Sequence, residues 1–268
     1  MVYYKSLKEI AKGRTKEMTR IIMHGCNGAM GQTISRIVRE DETAEIVAGI
    51  DARDTIDNGY PVFQSLSQCD IEADVIIDFS AATAIDSLLD NAIAKQLPIV
   101  LCTTGLSEEQ LKKVKVSAGM IPILKSANMS LGINMLMKLL QDAVKTLEPA
   151  GFDVEIVEKH HNQKMDAPSG TALALADSIN EAMDGQYEYV YDRSQVRQKR
   201  EKKELGISAV RGGTIVGEHE VIFAGTDEVI EFKHTAFSKA VFAKGAVTAA
   251  KFLAGRRPGL YDMSDVIR

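Results

Sequence analysis

Tryptophan is absent from this 268-residue chain, and cysteine is nearly so, at three residues. Cys26, Cys69 and Cys102 are scattered and form no Cys-x-x-Cys pair. That excludes a disulfide framework or a thiolate metal cluster as the organising device, and it is the usage of a reducing compartment. A cytoplasmic location is therefore expected. No apolar run approaches the ~20 residues that a membrane-spanning helix needs, so no membrane partner is expected. Positive charge is not in excess either. Thirty-two Lys and Arg against 37 Asp and Glu leave a formal net charge of −5, which argues against nucleic acid as the main partner. Residues 1–18 carry five bases but lack the apolar core and small-residue cleavage site of a signal peptide. They are expected to form a polar extension.

The remaining composition, 45% hydrophobic and 26% charged, suits a globular enzyme long enough for two domains. Its first half repeats strand and helix. Arg20-Ile-Ile-Met-His24 is a short apolar strand that runs into Gly25-Cys-Asn-Gly-Ala-Met-Gly31, followed by helical spacing of Ile34, Ile37 and Val38. A second strand, Glu45 to Ile50, ends at Asp51, twenty residues after Gly31. Glycines let backbone approach a pyrophosphate, the helix start donates N–H groups, and an acid at that spacing receives ribose hydroxyls. The fingerprint is GxxGxxG, because Cys26 stands at the usual first glycine. Later strands, Asp74–Phe79, Pro98–Leu101 and Ile121–Leu124, end in Ser, Thr, Gly and Asn. In a doubly wound sheet ligands sit beyond such carboxyl ends, so Phe79, Thr103, Thr104 and Asn128 are candidate linings of a nicotinamide pocket. Ser107 and Gln110 have the spacing of a capping box.

From the amphipathic run Leu131–Leu147 onward the pattern changes. Strand candidates Phe152–Lys159, Ile207–Val210, Thr214–Ala224 and Val229–Ala236 surround one helix that starts near Thr171. The fold class expected is α/β: a Rossmann-type doubly wound parallel sheet plus an α+β substrate domain with a mixed sheet. The expected boundaries are 19–130 for the dinucleotide domain, completed by 240–268, and 131–239 for the substrate domain. The basic run 193–203 is expected to be a solvated loop or helix face.

The chemistry concentrates in Glu158-Lys-His-His-Asn-Gln-Lys-Met-Asp-Ala-Pro-Ser-Gly-Thr171. Consecutive residues of a strand point to opposite sides, so His160 and His161 do not form a chelating pair, and no metal site is expected. A histidine donates a proton near neutral pH, and a lysine supplies a second proton or holds a carboxylate. Ser169-Gly170-Thr171 opens a helix and offers N–H groups and hydroxyls to another carboxylate. The residues together point to a small dicarboxylate, a proton donor and a nicotinamide hydride.

This string resembles the signature of the 4-hydroxy-tetrahydrodipicolinate (dihydrodipicolinate) reductases of the diaminopimelate branch of lysine synthesis. The resemblance covers about residues 19–268. It includes Thr103-Thr-Gly105, Ser126-Ala-Asn-Met-Ser-Leu-Gly-Ile-Asn134 and Arg211-Gly-Gly-Thr-Ile-Val-Gly-Glu-His219. It implies His160 as general acid with Lys164 as its cationic partner, and His161, Lys164, Ser169, Gly170 and Thr171 as substrate contacts. It implies a cofactor held by Gly25, Cys26, Asn27, Gly28, Ala29 and Met30, by Asp51 at the adenosine ribose, by Cys102, Thr103 and Thr104, and by Ser126, Ala127, Asn128 and Met129. NADH is expected to be preferred over NADPH, because Asp51 is followed by Ala52, with Arg53 one later. A homotetramer is implied. Cys102 stands where many members have glycine, and Lys239 where they have arginine. A related aspartate or homoserine dehydrogenase and a non-catalytic NAD sensor are the alternative readings.

Overall fold

The computed structural model describes residues 18–53, 56–191 and 193–267. The expected extension 1–18 lies outside them except for Met18. Two compact units emerge. One runs to Leu124 and takes in Ala246–Tyr261; the other comprises Lys125–Gly245 and the residues from Asp262. The segments 125–130, 240–245 and 262–267 thus fall in the second unit, where sequence placed them in the first. For the first of these, the reason is packing. A Cβ on Gly245 would lie 1.7 Å from the Met129 carbonyl oxygen, so the start of the last long helix seats directly on the 126–129 backbone.

The first unit is built from β1 (Thr19–His24), α1 (Ala29–Arg39), β2 (Ala44–Ile50), β3 (Val62–Phe63), β4 (Val75–Asp78), α2 (Ile85–Lys95), β5 (Ile99–Leu101), α3 (Glu108–Ser117) and β6 (Pro122–Leu124). Its sheet has the order β12-β6-β5-β4-β1-β2-β3, with β12 at Gly259–Tyr261, and every pairing is parallel. The chain winds outward in one direction from β1 and in the other from β4. The switch point therefore lies between the ends of β1 and β4. Ile21, Ile22, Ile76, Ile77, Ile99 and Ile123 are fully buried, as a sheet covered on both faces requires. Ser107 accepts from the Gln110 N–H at 3.2 Å and Gln110 returns a bond at 3.1 Å, completing the capping box of α3.

The second unit holds α4 (Leu131–Leu147), β7 (Asp153–His160), α5 (Gly170–Ala182), β8 (Glu188–Val190), β9 (Glu204–Arg211), β10 (Gly217–Ala224), β11 (Val229–Ala236) and α7 (Met263–Val266). The helix α6 (Ala240–Leu253) passes from this unit into the first. The sheet order is β11-β10-β7-β9-β8, parallel at β7/β9 and β8/β9 and antiparallel at β7/β10 and β10/β11, hence mixed. Residues of β7 alternate strictly between half-buried and buried. Its inner residues Val154 and Ile156 meet Leu140 and Val144 of α4 and Leu175 and Ile179 of α5 in one apolar core. One expectation needed adjustment. Residues 212–216 are turn, so β10 starts at Gly217 rather than Thr214. Within 193–203 every residue but the half-buried Arg200 is exposed, as expected of a solvated loop, and Arg193 and Arg200 anchor it through ion pairs to Glu155, Glu204 and Asp153.

Candidate active site

In the first unit the fingerprint turn sits at the switch point. Gly25 has φ +81°, and a Cβ there would lie 2.6 Å from the Phe79 carbonyl oxygen at the end of β4. A Cβ on Gly31 would lie 2.3 Å from the Gly25 carbonyl oxygen. Folding alone demands both glycines. Gly28 differs, because the nearest atom to its Cβ position is 3.4 Å away. It is the N-cap of α1 and gives that helix no side-chain bond, which leaves the helix start open to an anion. Asp51 accepts from the Asn27 N–H at 3.0 Å. Gln32 donates to the Cys26 carbonyl at 2.9 Å and to Asn58 at 2.7 Å, and Asn58 donates to Asn27 at 2.9 Å. The turn and the acid are thereby held as one piece. Cys26 is fully buried, with its sulfur where a Cβ on Gly49 would stand, so it can offer a ligand only backbone.

At the strand ends, Asp78 is fully buried. It bonds His24 Nδ1 at 2.7 Å, accepts from the Ser80 hydroxyl at 2.7 Å and accepts from Thr103 Oγ1 at 2.6 Å. One carboxylate thus ties together the ends of β1, β4 and β5. Thr103 directs its hydroxyl inward, while Cys102 is half-buried and Thr104 exposed. Sequence reasoning missed Asp78 and His24. The available signal was an acid closing a continuous apolar strand, which has to find partners when buried. The glycine-lined helix start, the oriented Asp51 and the hydroxyl-bearing strand ends fit a dinucleotide.

In the second unit, alternation along β7 buries Glu158 and His160 together. Strand register supplies their neighbours: Arg211 of β9 pairs with His160, and His219 of β10 lies opposite Glu158. Glu158 Oε2 is 2.6 Å from His160 Nδ1 and accepts from Arg211 Nη1 at 2.8 Å. Its Oε1 accepts from Arg211 Nη2 at 2.7 Å and from the Ser169 N–H at 3.0 Å. Burial opposes ionisation of this carboxyl, but Arg211, His160 and Ser169 outweigh it and hold it below the usual carboxylate range. Desolvating an unpaired carboxylate would cost several kcal/mol, which these donors offset.

The remaining sequence candidates divide. His161, half-buried just beyond the strand, has a buried Nδ1 without a hydrogen-bond partner among the described residues. Lys164 pairs with Asp166 at 2.8 Å rather than with His160, and that lysine holds the Asp166 carboxyl below its ordinary range. Ser169 is bonded within the fold. It is 1% exposed; its N–H goes to Glu158, and its hydroxyl lies 3.2 Å from the Ala172 N–H and 3.0 Å from His219 Nε2. It caps α5. Gly170 is exposed with open space around it. Thr171 accepts from Asn128 Nδ2 at 2.9 Å, which joins the 126–129 segment to the start of α5. Asn128 in turn accepts from the Ser130 N–H at 2.8 Å, and its carbonyl accepts from Asn134 at 2.7 Å.

His219 touches the His160 ring edge-on at 5.1 Å between centroids. Burial, and then the charge of His160, push its pKa down to about 4. A histidine charged in the unfolded chain but neutral when folded destabilises the fold as pH drops below its unfolded value. The lowered pKa corresponds to about 3 kcal/mol, fully retained above pH 6.5 and lost progressively toward pH 4. Urea unfolding of the wild type should therefore lose more stability between pH 7 and pH 4.5 than H219Q does. Equal losses would contradict a buried neutral His219.

Two family profiles cover the chain. Residues 19–129 match the one described as dihydrodipicolinate reductase, N-terminus, and residues 132–267 the one described as dihydrodipicolinate reductase, C-terminus. The chain belongs to the dihydrodipicolinate reductase family. It is 53% identical over 251 residues to the 4-hydroxy-tetrahydrodipicolinate reductase of Caldanaerobacter subterraneus subsp. tengcongensis, a match spanning 94% of this chain and 99% of that one. It is 49% identical, with the same coverage of both, to the enzyme of that name from Clostridium novyi. Among solved structures, a dipicolinate-bound dihydrodipicolinate reductase from Paenisporosarcina sp. TG-14 aligns with a TM-score of 0.77 at 24% identity, over 91% of this chain and 97% of that one. It shares the fold. A probable dehydrogenase from Thermotoga maritima aligns at a TM-score of 0.60 and 12% identity, over 92% of each chain. In this dihydrodipicolinate reductase family member, the Arg211-to-His219 motif gains a physical account, since its two ends reach the buried Glu158–His160–Ser169 cluster.

Proposed function

We propose that the chain reduces 4-hydroxy-tetrahydrodipicolinate to tetrahydrodipicolinate, in lysine synthesis through diaminopimelate, with His160 as the proton donor. Loss of the 4-hydroxyl with a C5 proton, as water, leaves a C=C bond conjugated to the ring imine; a nicotinamide, when bound, would supply the hydride that adds at C4, and the enamine so formed takes its proton at C5 from His160. Lys164 and His161 hold one ring carboxylate by charge and hydrogen bonding, and the Gly170 and Thr171 N–H groups at the start of α5 receive the other. Gly28, Ala29 and Met30 at the start of α1 hold the pyrophosphate, and Asp51 holds the adenosine ribose.

One observation carries this reading. Glu158 takes bonds from both His160 and the Ser169 N–H, so the proton donor and the carboxylate-binding helix start are fixed to the same buried group. Dipicolinate, a planar ring dicarboxylate, should bind the wild type in calorimetry, and K164A should weaken it about tenfold, the loss of one charge-assisted contact. Unchanged affinity in K164A would remove Lys164 from the substrate site.

Asp51 also supports a preference for NADH, because a carboxylate repels a 2′-phosphate, while Arg53 leaves NADPH usable. A like-charge contact near the surface is worth about 1 kcal/mol. D51S should therefore raise the NADPH-to-NADH ratio of kcat/KM roughly fivefold. An unaltered ratio would take the ribose role away from Asp51.

A further inference from the structure

Glu158 and Arg211 do more than fill the interior beneath the proton donor. Each Glu158 oxygen has two neighbours: Arg211 and His160 at Oε2, Arg211 and the Ser169 N–H at Oε1. Three of these four contacts are N–H donors with no accepting capacity, and an ionised carboxylate only accepts. The fourth neighbour, His160 Nδ1, must then be a donor as well, so its proton resides on Nδ1. This assigns the ring. Nε2 is the nitrogen free to exchange a proton, and it lies on the side where a Cβ on Gly217 would stand 3.1 Å away. Arg211 keeps Glu158 in place through the bidentate grip and through its Nη2 bond to the Asp166 carbonyl at 2.6 Å. That last bond ties the clamp to the loop that carries Lys164.

We propose that Glu158 and Arg211 are the positioning pair of the reaction. Arg211 clamps the Glu158 carboxylate, the carboxylate holds His160 by Nδ1–H, and His160 Nε2 is thereby the atom that gives the proton to the substrate. The proposal rests on the reading of His160 as proton donor. Neither Glu158 nor Arg211 touches substrate; they act through the orientation and tautomer of the ring. Without the carboxylate, the ring can rotate or carry its neutral-state proton on Nε2, and productive encounters become rare.

Two measurements test it, with H160Q assayed alongside. The first uses the wild type alone. Long-range 15N–1H correlation of the His160 ring, assigned by its disappearance in H160Q, should report the Nδ1–H tautomer in the neutral form. An Nε2–H tautomer would overturn the proposal without any question of misfolding. The second is kinetic. E158Q keeps the side-chain shape but loses the charge, and it should lower kcat about 100-fold, at the low end of what general acid catalysis supplies, with NADH affinity unchanged. E158D should recover part of that loss. If H160Q loses activity while E158Q keeps the full kcat, the positioning pair is wrong and the proton donor stands. If H160Q itself keeps full kcat, the reading beneath it fails.

Discussion

H160Q should lower kcat by roughly 10²- to 10⁴-fold, the range expected when a positioned general acid is removed, and leave NADH affinity within about twofold of wild type. Glutamine is the right probe for a physical reason. Its amide can still donate to Glu158 and fill the space of the ring, so the buried carboxylate keeps a partner and the strand ladder is untouched. What it cannot do is release a proton at neutral pH. The loss should therefore appear in kcat and in kcat/KM together, as for an interaction made only in the transition state. Single-turnover measurement at saturating cofactor separates this step from product release. A variant that binds NADH poorly but turns over normally would place His160 on the cofactor instead.

The second large effect separates two kinds of glycine in one motif. G31A should destabilise the first unit by about 3 kcal/mol, the upper end of ordinary overpacking. Its methyl would meet backbone oxygens of Gly25 and Cys26 at 2.3 and 2.6 Å, and these cannot swing aside as a side chain does. G28A has only a 3.4 Å contact, so its stability should fall by no more than about 1 kcal/mol, the cost of alanine at an N-cap. Its NADH affinity should nevertheless fall about tenfold, or about 1.4 kcal/mol, because the methyl stands at the helix start that the pyrophosphate approaches. Urea unfolding and fluorescence titration of NADH on the same two preparations make the comparison. Equal stability in G28A and G31A, or unchanged NADH affinity in G28A, would contradict the division of roles.

The contrast also shows which parts of the site were readable from sequence. The GxxGxxG turn, Asp51 and the capping box of α3 are local, with every partner inside a short window of characteristic spacing. The parallel sheet was readable for the same reason, since each βα step repeats one pattern and β-strands buried on both faces are almost wholly apolar. The opposed histidines followed from the two-residue period of a strand, and β7 does bury His160 while His161 lies half-buried beyond its end.

The partners of His160 were not readable. Arg211 and His219 arrive by strand register from 51 and 59 residues downstream of it, and nothing local specifies that Glu158 rather than Lys164 takes the Nδ1 bond. A serine before a helix serves equally as cap or as ligand contact, and only the long-range contact of Ser169 with His219, invisible to local spacing, shows how it is seated. The short strands β3, β8 and β12, two or three residues each, are too brief for any period to show and exist because a neighbouring strand offers an edge.

We propose that this chain turns over 4-hydroxy-tetrahydrodipicolinate with a nicotinamide hydride and a proton from His160. The most direct measurement generates that substrate in place with a dihydrodipicolinate synthase, pyruvate and aspartate semialdehyde, and follows the loss of NADH absorbance on addition of the purified chain. Rapid, synthase-dependent NADH consumption is expected of the wild type, and nearly none of H160Q at equal cofactor saturation. Absence of turnover by wild-type protein shown to bind NADH, or equal rates for the two proteins, would contradict it.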